Sequence, residues 1–285
     1  MPTLRQLTAS VAAALTPLYP RPEAEAIAGQ LLEHLLHLTP LQRRMQAQEP
    51  VPEEILAQLA PLRERLLRHE PLQYVLGTAH FAGLELEVTP ATLIPRPETE
   101  ELVQLLVQEQ QGRSGLHVLD VGTGSGCIAV ALALALPGSQ VTAVDVSGEA
   151  LAVAHRNAAR HGATVHFQQL DVLAAMPNLP VPLDVLVSNP PYVLEAERAQ
   201  MRPNVLAYEP ATALFVPNHD PLLFYRRIAE LGWQVLRPGG SLYFEINEQY
   251  GPATQALVQE LGYTEAGLLA DLFGKLRFVR ATWPG

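Results

Sequence analysis

Two short stretches hold the residue types that could do chemistry. The first is LDVGTGSGCIAV, residues 119–130, where an apolar run ends on Gly122, Gly124 and Gly126 and an apolar helical run follows. Glycines at such a turn let the backbone approach a ligand and adopt conformations that other residues resist. In sheets of alternating strands and helices, ligands bind beyond the carboxyl ends of the strands, near the first such turn. The spacing is Gly-x-Gly-x-Gly, because Cys127 stands where a dinucleotide fingerprint needs its third glycine. The next apolar run, VTAVDV, ends in Asp145, whose carboxylate can accept hydrogen bonds from both hydroxyls of a ribose. A cap on the following helix would explain Asp145 alone; glycine loop and acid together, at this separation, favour a nucleoside. The second stretch is VSNPPY, residues 187–192, at the end of the apolar run PLDVLV. Proline gives up its backbone donor and fixes φ, so Pro190 and Pro191 make a rigid corner that carries an amide, Asn189, and a flat ring, Tyr192.

The glycine pattern after Asp120 resembles motif I of S-adenosylmethionine-dependent methyltransferases. That resemblance implies cofactor contacts from Gly122, Thr123, Gly124, Ser125 and Gly126, with Asp145 on the ribose. It also implies a contact to the adenine from Asp171, at the end of QQLDVL, with Val172 as an apolar wall; a loop cap accounts for Asp171 almost as well. Asn189-Pro190-Pro191-Tyr192 resembles motif IV of methyltransferases that act on nitrogens conjugated with a carbonyl or an aromatic ring. Such a nitrogen donates its lone pair into a π system and is a poor nucleophile. Two acceptors holding its two N–H protons would localise the lone pair and aim it at a sulfonium methyl. The Asn189 side-chain oxygen can be one and the Pro190 carbonyl the other, with Tyr192 as a wall for the planar group and Asn189 also beside the cofactor. Alignment of this kind contributes several kcal/mol, up to about 7–11 kcal/mol in ideal intramolecular geometry. The plain alternative for the four residues is a structural bend with a buried tyrosine.

The elements that must position these residues are legible as changes of period. Residues 1–75 read as helices only: TLRQLTASVAAAL, PEAEAIAGQLLEHLL and PEEILAQLAPLRERLLRH carry apolar residues at helical spacing. Pro22 and Pro52 stand at helix starts with glutamates behind them. HFAGLELEVTP, residues 80–90, alternates and predicts a short hairpin. A helix restarts at RPETEELVQLLVQEQ, and from about residue 115 strands and helices alternate. Strands are expected at LHVLDVG, QVTAVDV, TVHFQQLDV, PLDVLVS, SLYFEI and KLRFVRATW, with a weaker one near YTEAGLL. Near-continuous apolar strands between helices imply a parallel sheet covered on both faces.

Further segments sharpen the resemblance. EPLQYVLG, LIPRPETEELV, DVGTGSG, NPPY, YEPATALF and DLFGKLRFV occur in the order seen in the PrmC/HemK family, and the resemblance covers nearly the whole chain. It implies an α/β fold: a seven-stranded, Rossmann-like class I S-adenosylmethionine-dependent methyltransferase domain behind a small all-α domain. The expected division is a helical bundle at 1–75 that grips the substrate, a hairpin linker at 76–94 and the methyltransferase domain at 95–285. The implied reaction is N5-methylation of the glutamine in the Gly-Gly-Gln motif of class I peptide chain release factors, which would be the protein partners. Asn189, Pro190, Pro191 and Tyr192 would meet the substrate. The family sets the RPETE segment against the active site, so Arg96 and Glu98 are candidate contacts, although acids in a first helical turn need no such role. Two loops depart from the family pattern, VPNHDP at 216–221 and EINEQY at 245–250.

Bulk properties narrow the classes. With 48% hydrophobic residues over 285, the chain can bury a sizeable core. The net charge of -10 and the lack of a basic stripe oppose binding to a phosphate backbone. One cysteine, Cys127, allows neither an internal disulfide nor a thiolate metal cluster. His34 and His37 have no evident third ligand, and no metal is expected. No apolar run is long enough to span a bilayer and no signal peptide is apparent, which points to a cytoplasmic setting. Two competing readings remain at this level: a nucleic-acid adenine N6-methyltransferase, which would want a basic face, and a non-catalytic cofactor-binding scaffold.

Overall fold

The structure, a computed structural model, describes residues 1–285. By contact density the chain forms two compact units, Met1–Gly77 with Arg202–Tyr208, and Thr78–Met201 with Glu209–Gly285. Elements are numbered in chain order.

The first unit holds α1 (Leu4–Leu15), α2 (Arg21–Leu36), α3 (Pro40–Met45), α4 (Glu53–Leu67), α5 (Leu72–Leu76) and α9 (Pro203–Tyr208). Thr3 opens α1 with a capping box: its hydroxyl accepts from the Gln6 backbone, and the Gln6 side chain accepts from the Thr3 backbone. The periodic apolar residues meet in one core that includes Val11, Leu15, Leu31, Leu32, Leu59 and Leu66. Two helices, α3 and α5, lie outside the expected set. They are six and five residues long, and α3 buries none of its residues, so neither presents an apolar period to read. The helix α9 comes from far along the chain. The Tyr208 hydroxyl donates to the Arg68 carbonyl at 2.8 Å, and Arg202 pairs with Glu23 at 3.3 Å. The segment YEPATALF is therefore divided, Tyr208 belonging to the first unit and Glu209 onward to the second.

The second unit is built on seven strands. They are β3 (His117–Val121), β4 (Gln140–Asp145), β5 (Val165–Gln169), β6 (Leu183–Ser188), β9 (Leu236–Glu245), β10 (Thr264–Ala270) and β11 (Leu276–Trp283), in the order β10-β11-β9-β6-β3-β4-β5. The expectation of a parallel sheet holds from β9 through β5 and fails at one edge, where β11 runs antiparallel to both neighbours. Only residues 271–275 join β10 to β11. A crossover to a parallel strand needs a dozen residues or more, so this connection can only be a hairpin. A second difference concerns Asp171, which lies beyond its strand: β5 ends at Gln169, paired with Asp145, because β4 offers no further partner.

Alternate strand residues face opposite layers, the period expected of a strand. Leu119 and Val121 face one core with Tyr225 and Ile228 of α10 (Leu223–Val235) and Val258 of α11 (Gly251–Glu260). Val118, Val185 and Val187 face the other, with Leu102 and Leu106 of α6 (Pro97–Glu109) and Ile128 and Leu132 of α7 (Cys127–Ala135). The hairpin of β1 (Thr78–Phe81) and β2 (Leu84–Glu87) is part of this second unit. Phe81 and Leu86 are fully buried in the second core, worth roughly 1.5–3 kcal/mol each. A small parallel pair, β7 (Val193–Leu194) with β8 (Phe215–Val216), closes the excursion that follows Tyr192. No helix is long and apolar enough to cross a membrane.

One buried side chain ties the hairpin to the glycine loop. Asn157, on α8 (Gly148–His161), accepts from the Glu87 backbone at 2.7 Å and donates to the carbonyls of Glu87 and Ser125, both at 2.9 Å. Replacing it with alanine leaves a buried N–H and two carbonyls without their partner, at about 1–3 kcal/mol for an unsatisfied group. Asn157→Ala is expected to lower the stability of this unit by about 3 kcal/mol. Denaturant unfolding followed by tryptophan fluorescence reads this unit, because Trp233 and Trp283 both belong to it. A loss well under 1 kcal/mol would show that the polar groups find other partners.

Candidate active site

The register of the parallel strands assembles the site. Val121 is level with Val144 of β4 and with Ser188 of β6, so Gly122, Asp145 and Asn189 leave the sheet side by side. The chain turns to opposite sides at β3, its successor β4 lying on one flank and β6 on the other, the arrangement that opens a crevice in such sheets. A cavity of about 350 Å³ occupies it. Gly122, Gly124, Asp145, Asp171, Val172 and Asn189 all line this cavity, together with Pro190 and Pro191. A larger hollow of about 1030 Å³ opens on the helical unit among residues of α1, α2 and α3, but it carries no glycine loop, and its acid, Glu25, is paired with Arg21 at 2.9 Å.

The glycines of the loop divide into two kinds. Gly122 and Gly124 have φ of 76° and 55°, and a Cβ added to either would meet no atom within 4 Å. Their missing side chains are open space in the cavity wall. Gly126, φ 80°, is a packing glycine: a Cβ there would lie 3.0 Å from the Ala154 Cβ on α8. Thr123 and Ser125 are buried and do not line the cavity. Thr123 donates its hydroxyl to Asp120 at 2.6 Å beneath the loop, and the Gly122 and Gly124 amides are held by the Val144 carbonyl and Asp145 at 2.9 and 2.8 Å. The carboxyl of Asp120 is fully buried, and burial pushes its pKa up to about 7.

Asp145 accepts the Gly124 N–H at 2.8 Å on one oxygen and the Ser147 N–H at 2.9 Å on the other. Each oxygen keeps a lone pair for a ligand hydroxyl. Burial raises the Asp145 pKa, and the backbone amides of Ser147, Gly124 and Val146 oppose that shift. Asp171 is exposed at the cavity edge and accepts from the Leu173 N–H at 2.9 Å, while Val172 is buried behind it. An acid paired with open glycine positions and apolar walls fits a nucleoside cofactor.

At the proline corner the Asn189 Nδ2 donates to the Thr99 hydroxyl at 3.0 Å. Thr99 donates in turn to Glu245 at 2.6 Å, and the Tyr192 hydroxyl reaches the other Glu245 oxygen at 3.4 Å. Tyr192 is not on the cavity wall: its ring packs on the core, and its carbonyl accepts from Asn247 at 3.3 Å. Burial pushes the Glu245 pKa up to about 7, with Thr99, Tyr192 and Arg277 opposing. Arg96 and Glu98 also stand off the cavity. Arg96 is engaged elsewhere, its guanidinium 2.6 Å from Glu209, which is almost fully buried and also accepts from the Ile94 N–H at 3.3 Å. Thr99 and Glu245 escaped the sequence reading. The signals were a threonine on the buried face of α6 and one acid at the end of an apolar strand.

Two family models match: one described as PrmC N-terminal domain over residues 6–77, and one described as Methyltransferase small domain over residues 98–208. A Bacteroides thetaiotaomicron protein named Release factor glutamine methyltransferase is 43% identical over 98% of this chain and 99% of its own length. A Chlorobaculum tepidum protein of the same name is 45% identical over 80% of this chain and 79% of its own. The fold is also like that of a methyltransferase from Pyrococcus furiosus, with a TM-score of 0.51 at 20% identity, covering 71% of this chain and 90% of that one. The chain belongs to the release factor glutamine methyltransferase family.

Proposed function

We propose that this protein transfers a methyl group from S-adenosylmethionine to the side-chain nitrogen N5 of the glutamine in the Gly-Gly-Gln motif of class I peptide chain release factors. The observation that carries this reading is the meeting of Asn189 and the proline corner with the glycine loop and Asp145 around one cavity. A nucleic-acid adenine substrate is disfavoured by the net charge of -10. Release factors work where proteins are made, so a cytoplasmic setting goes with the proposal. The helical unit, including α9, is the proposed grip on the release factor, since a glutamine side chain alone offers little area and selectivity needs remote contacts.

In this reading the open faces of Gly122 and Gly124 let the cofactor approach the backbone, Asp145 takes the ribose hydroxyls, and Asp171 with Val172 bounds the adenine. When bound, S-adenosylmethionine supplies an electrophilic methyl group. The remaining work falls to residues of the chain. The oxygen of Asn189 and the carbonyl of Pro190 hold the two N–H protons of the substrate amide, which localises its lone pair. Pro190 and Pro191 keep both acceptors in place through their fixed φ. Once alkylated the nitrogen is acidic and loses a proton without a strong base. Tyr192 braces the corner from behind through Glu245 rather than walling the substrate.

Two expectations test the assignments. Asp145→Ala is expected to weaken cofactor binding on the order of 10-fold or more, equivalent to about 1.4 kcal/mol, and calorimetric titration measures it; unchanged affinity would remove Asp145 from the site. Asn189→Ala is expected to lower kcat for a release factor by about 10²–10³-fold, as loss of one preorganised polar contact does in other sites, with cofactor affinity nearly kept. Labelled-methyl transfer to a release factor, to its Gly-Gly-Ala variant and to duplex DNA decides the substrate: label on the first alone supports the proposal, and label on DNA alone overturns it.

A further inference from the structure

The hydroxyl of Thr99 sits between an amide that must be oriented and a carboxyl that can orient it. Asn189 is useful to the proposed reaction only if its oxygen, not its NH2, meets the substrate amide. The two ends of an asparagine side chain have nearly the same shape, so sterics do not choose between them; hydrogen bonding does. A threonine hydroxyl has one proton to give. Facing a carboxylate, which only accepts, that proton goes to Glu245 at 2.6 Å, and the hydroxyl can then only accept from its other neighbour. That neighbour is Asn189, which presents Nδ2 at 3.0 Å.

We infer that Thr99 and Glu245 are positioning residues: an ionised Glu245 takes the single Thr99 proton, so Thr99 can only accept from Asn189 and the Asn189 oxygen is turned toward the substrate. This rests on the proposed amide-methylation reading and adds the device that sets its acceptor. Neither residue lines the cavity, so both act through Asn189. Tyr192, donating to the second Glu245 oxygen at 3.4 Å, strengthens the demand for an acceptor there. A protonated Glu245 can instead donate to Thr99. The threonine proton is then free to pair with the Asn189 oxygen, and the amide flips.

The charged and titratable groups around Glu245 come from every neighbouring element: Glu98 from α6, Cys127 from the start of α7, Tyr192 from the proline corner, Tyr225 from α10 and Arg277 from β11. Glu98 and burial favour the protonated acid, whereas Arg277 and the two hydroxyl donors favour the carboxylate. The balance leaves Glu245 near pH 7. The carboxylate form, and with it the productive amide, is present above that pH and is lost as pH falls through it.

The test uses the full chain and two independent readouts. With a release factor as substrate, Thr99→Val is expected to lower kcat on the order of 10²-fold, with KM for the release factor changed little. Because valine leaves a buried carboxylate short of a donor, Thr99→Ser is the second variant, and it is expected to restore most of the lost rate. The wild-type rate is expected to fall below about pH 7, and Glu245→Gln to lose that acidic limb. Without any cofactor, the Asn189 side-chain NH2 signal in protein labelled at asparagine, assigned by its absence in Asn189→Ala, is expected to titrate across the same range and to stop doing so in Glu245→Gln. Wild-type kcat in Thr99→Val, an acidic limb that survives in Glu245→Gln, or a signal that does not titrate in the wild type would each overturn the inference. A wild-type protein that methylates no release factor would instead sink the functional reading, and the apo signal would still decide the relay.

Discussion

Neighbouring parallel strands in register end together, and here that geometric fact decides where chemistry can occur. Val121, Val144 and Ser188 are level across β3, β4 and β6. The next residues, Gly122, Asp145 and Asn189, therefore emerge at one rim although they are far apart in sequence. A one-residue slip in a strand would turn its side chains to the opposite face. Apolar residues on both sheet faces, among them Leu119 and Val121 on one and Val185 and Val187 on the other, resist such a slip because each buried side chain would trade layers. The core thus holds the register, and the register holds the site.

Around that rim the fold places two acids where acids are expensive. Asp120 and Glu245 are both buried, and burial pushes each toward a pKa of about 7. Each is met by a threonine hydroxyl at 2.6 Å, Thr123 on Asp120 and Thr99 on Glu245. Burying a carboxyl without such a partner costs several kcal/mol, so the two threonines are part of what makes the arrangement tolerable. The chemical consequences differ. Thr123 closes the back of the glycine loop, while Thr99 still has an acceptor lone pair and faces Asn189.

The helical unit shows a different economy. Its core is ordinary helix packing, yet α9 comes from the segment between the proline corner and β8. Glu209, the first residue after it, is anchored in the second unit by Arg96 and the Ile94 N–H. One peptide bond therefore separates a residue held by the bundle from one held beside the sheet. Arg96 thereby has a structural task that its place in the RPETE segment did not disclose.

The period-2 and period-3.6 patterns, the glycine spacing at 122–126, the acid at 145 and the Asn-Pro-Pro-Tyr corner were all legible from the sequence, because each is a local arrangement. So was the helical character of the first 75 residues, down to the glutamates at helix starts. The antiparallel edge was also implicit in the length of the 271–275 turn, but alternation of strand and helix upstream outweighed it. What only the tertiary structure decided are pairings over long separations. Thr99 meets Asn189 across 90 positions and Glu245 across 146. Nothing in the local sequence distinguishes this threonine from other buried-face polar residues, since its role depends on which strand end the packed helix reaches. The same holds for the loop glycines. Their spacing announces a turn, but only the neighbouring helix shows that Gly126 exists to admit Ala154, while Gly122 and Gly124 border open space in the cavity.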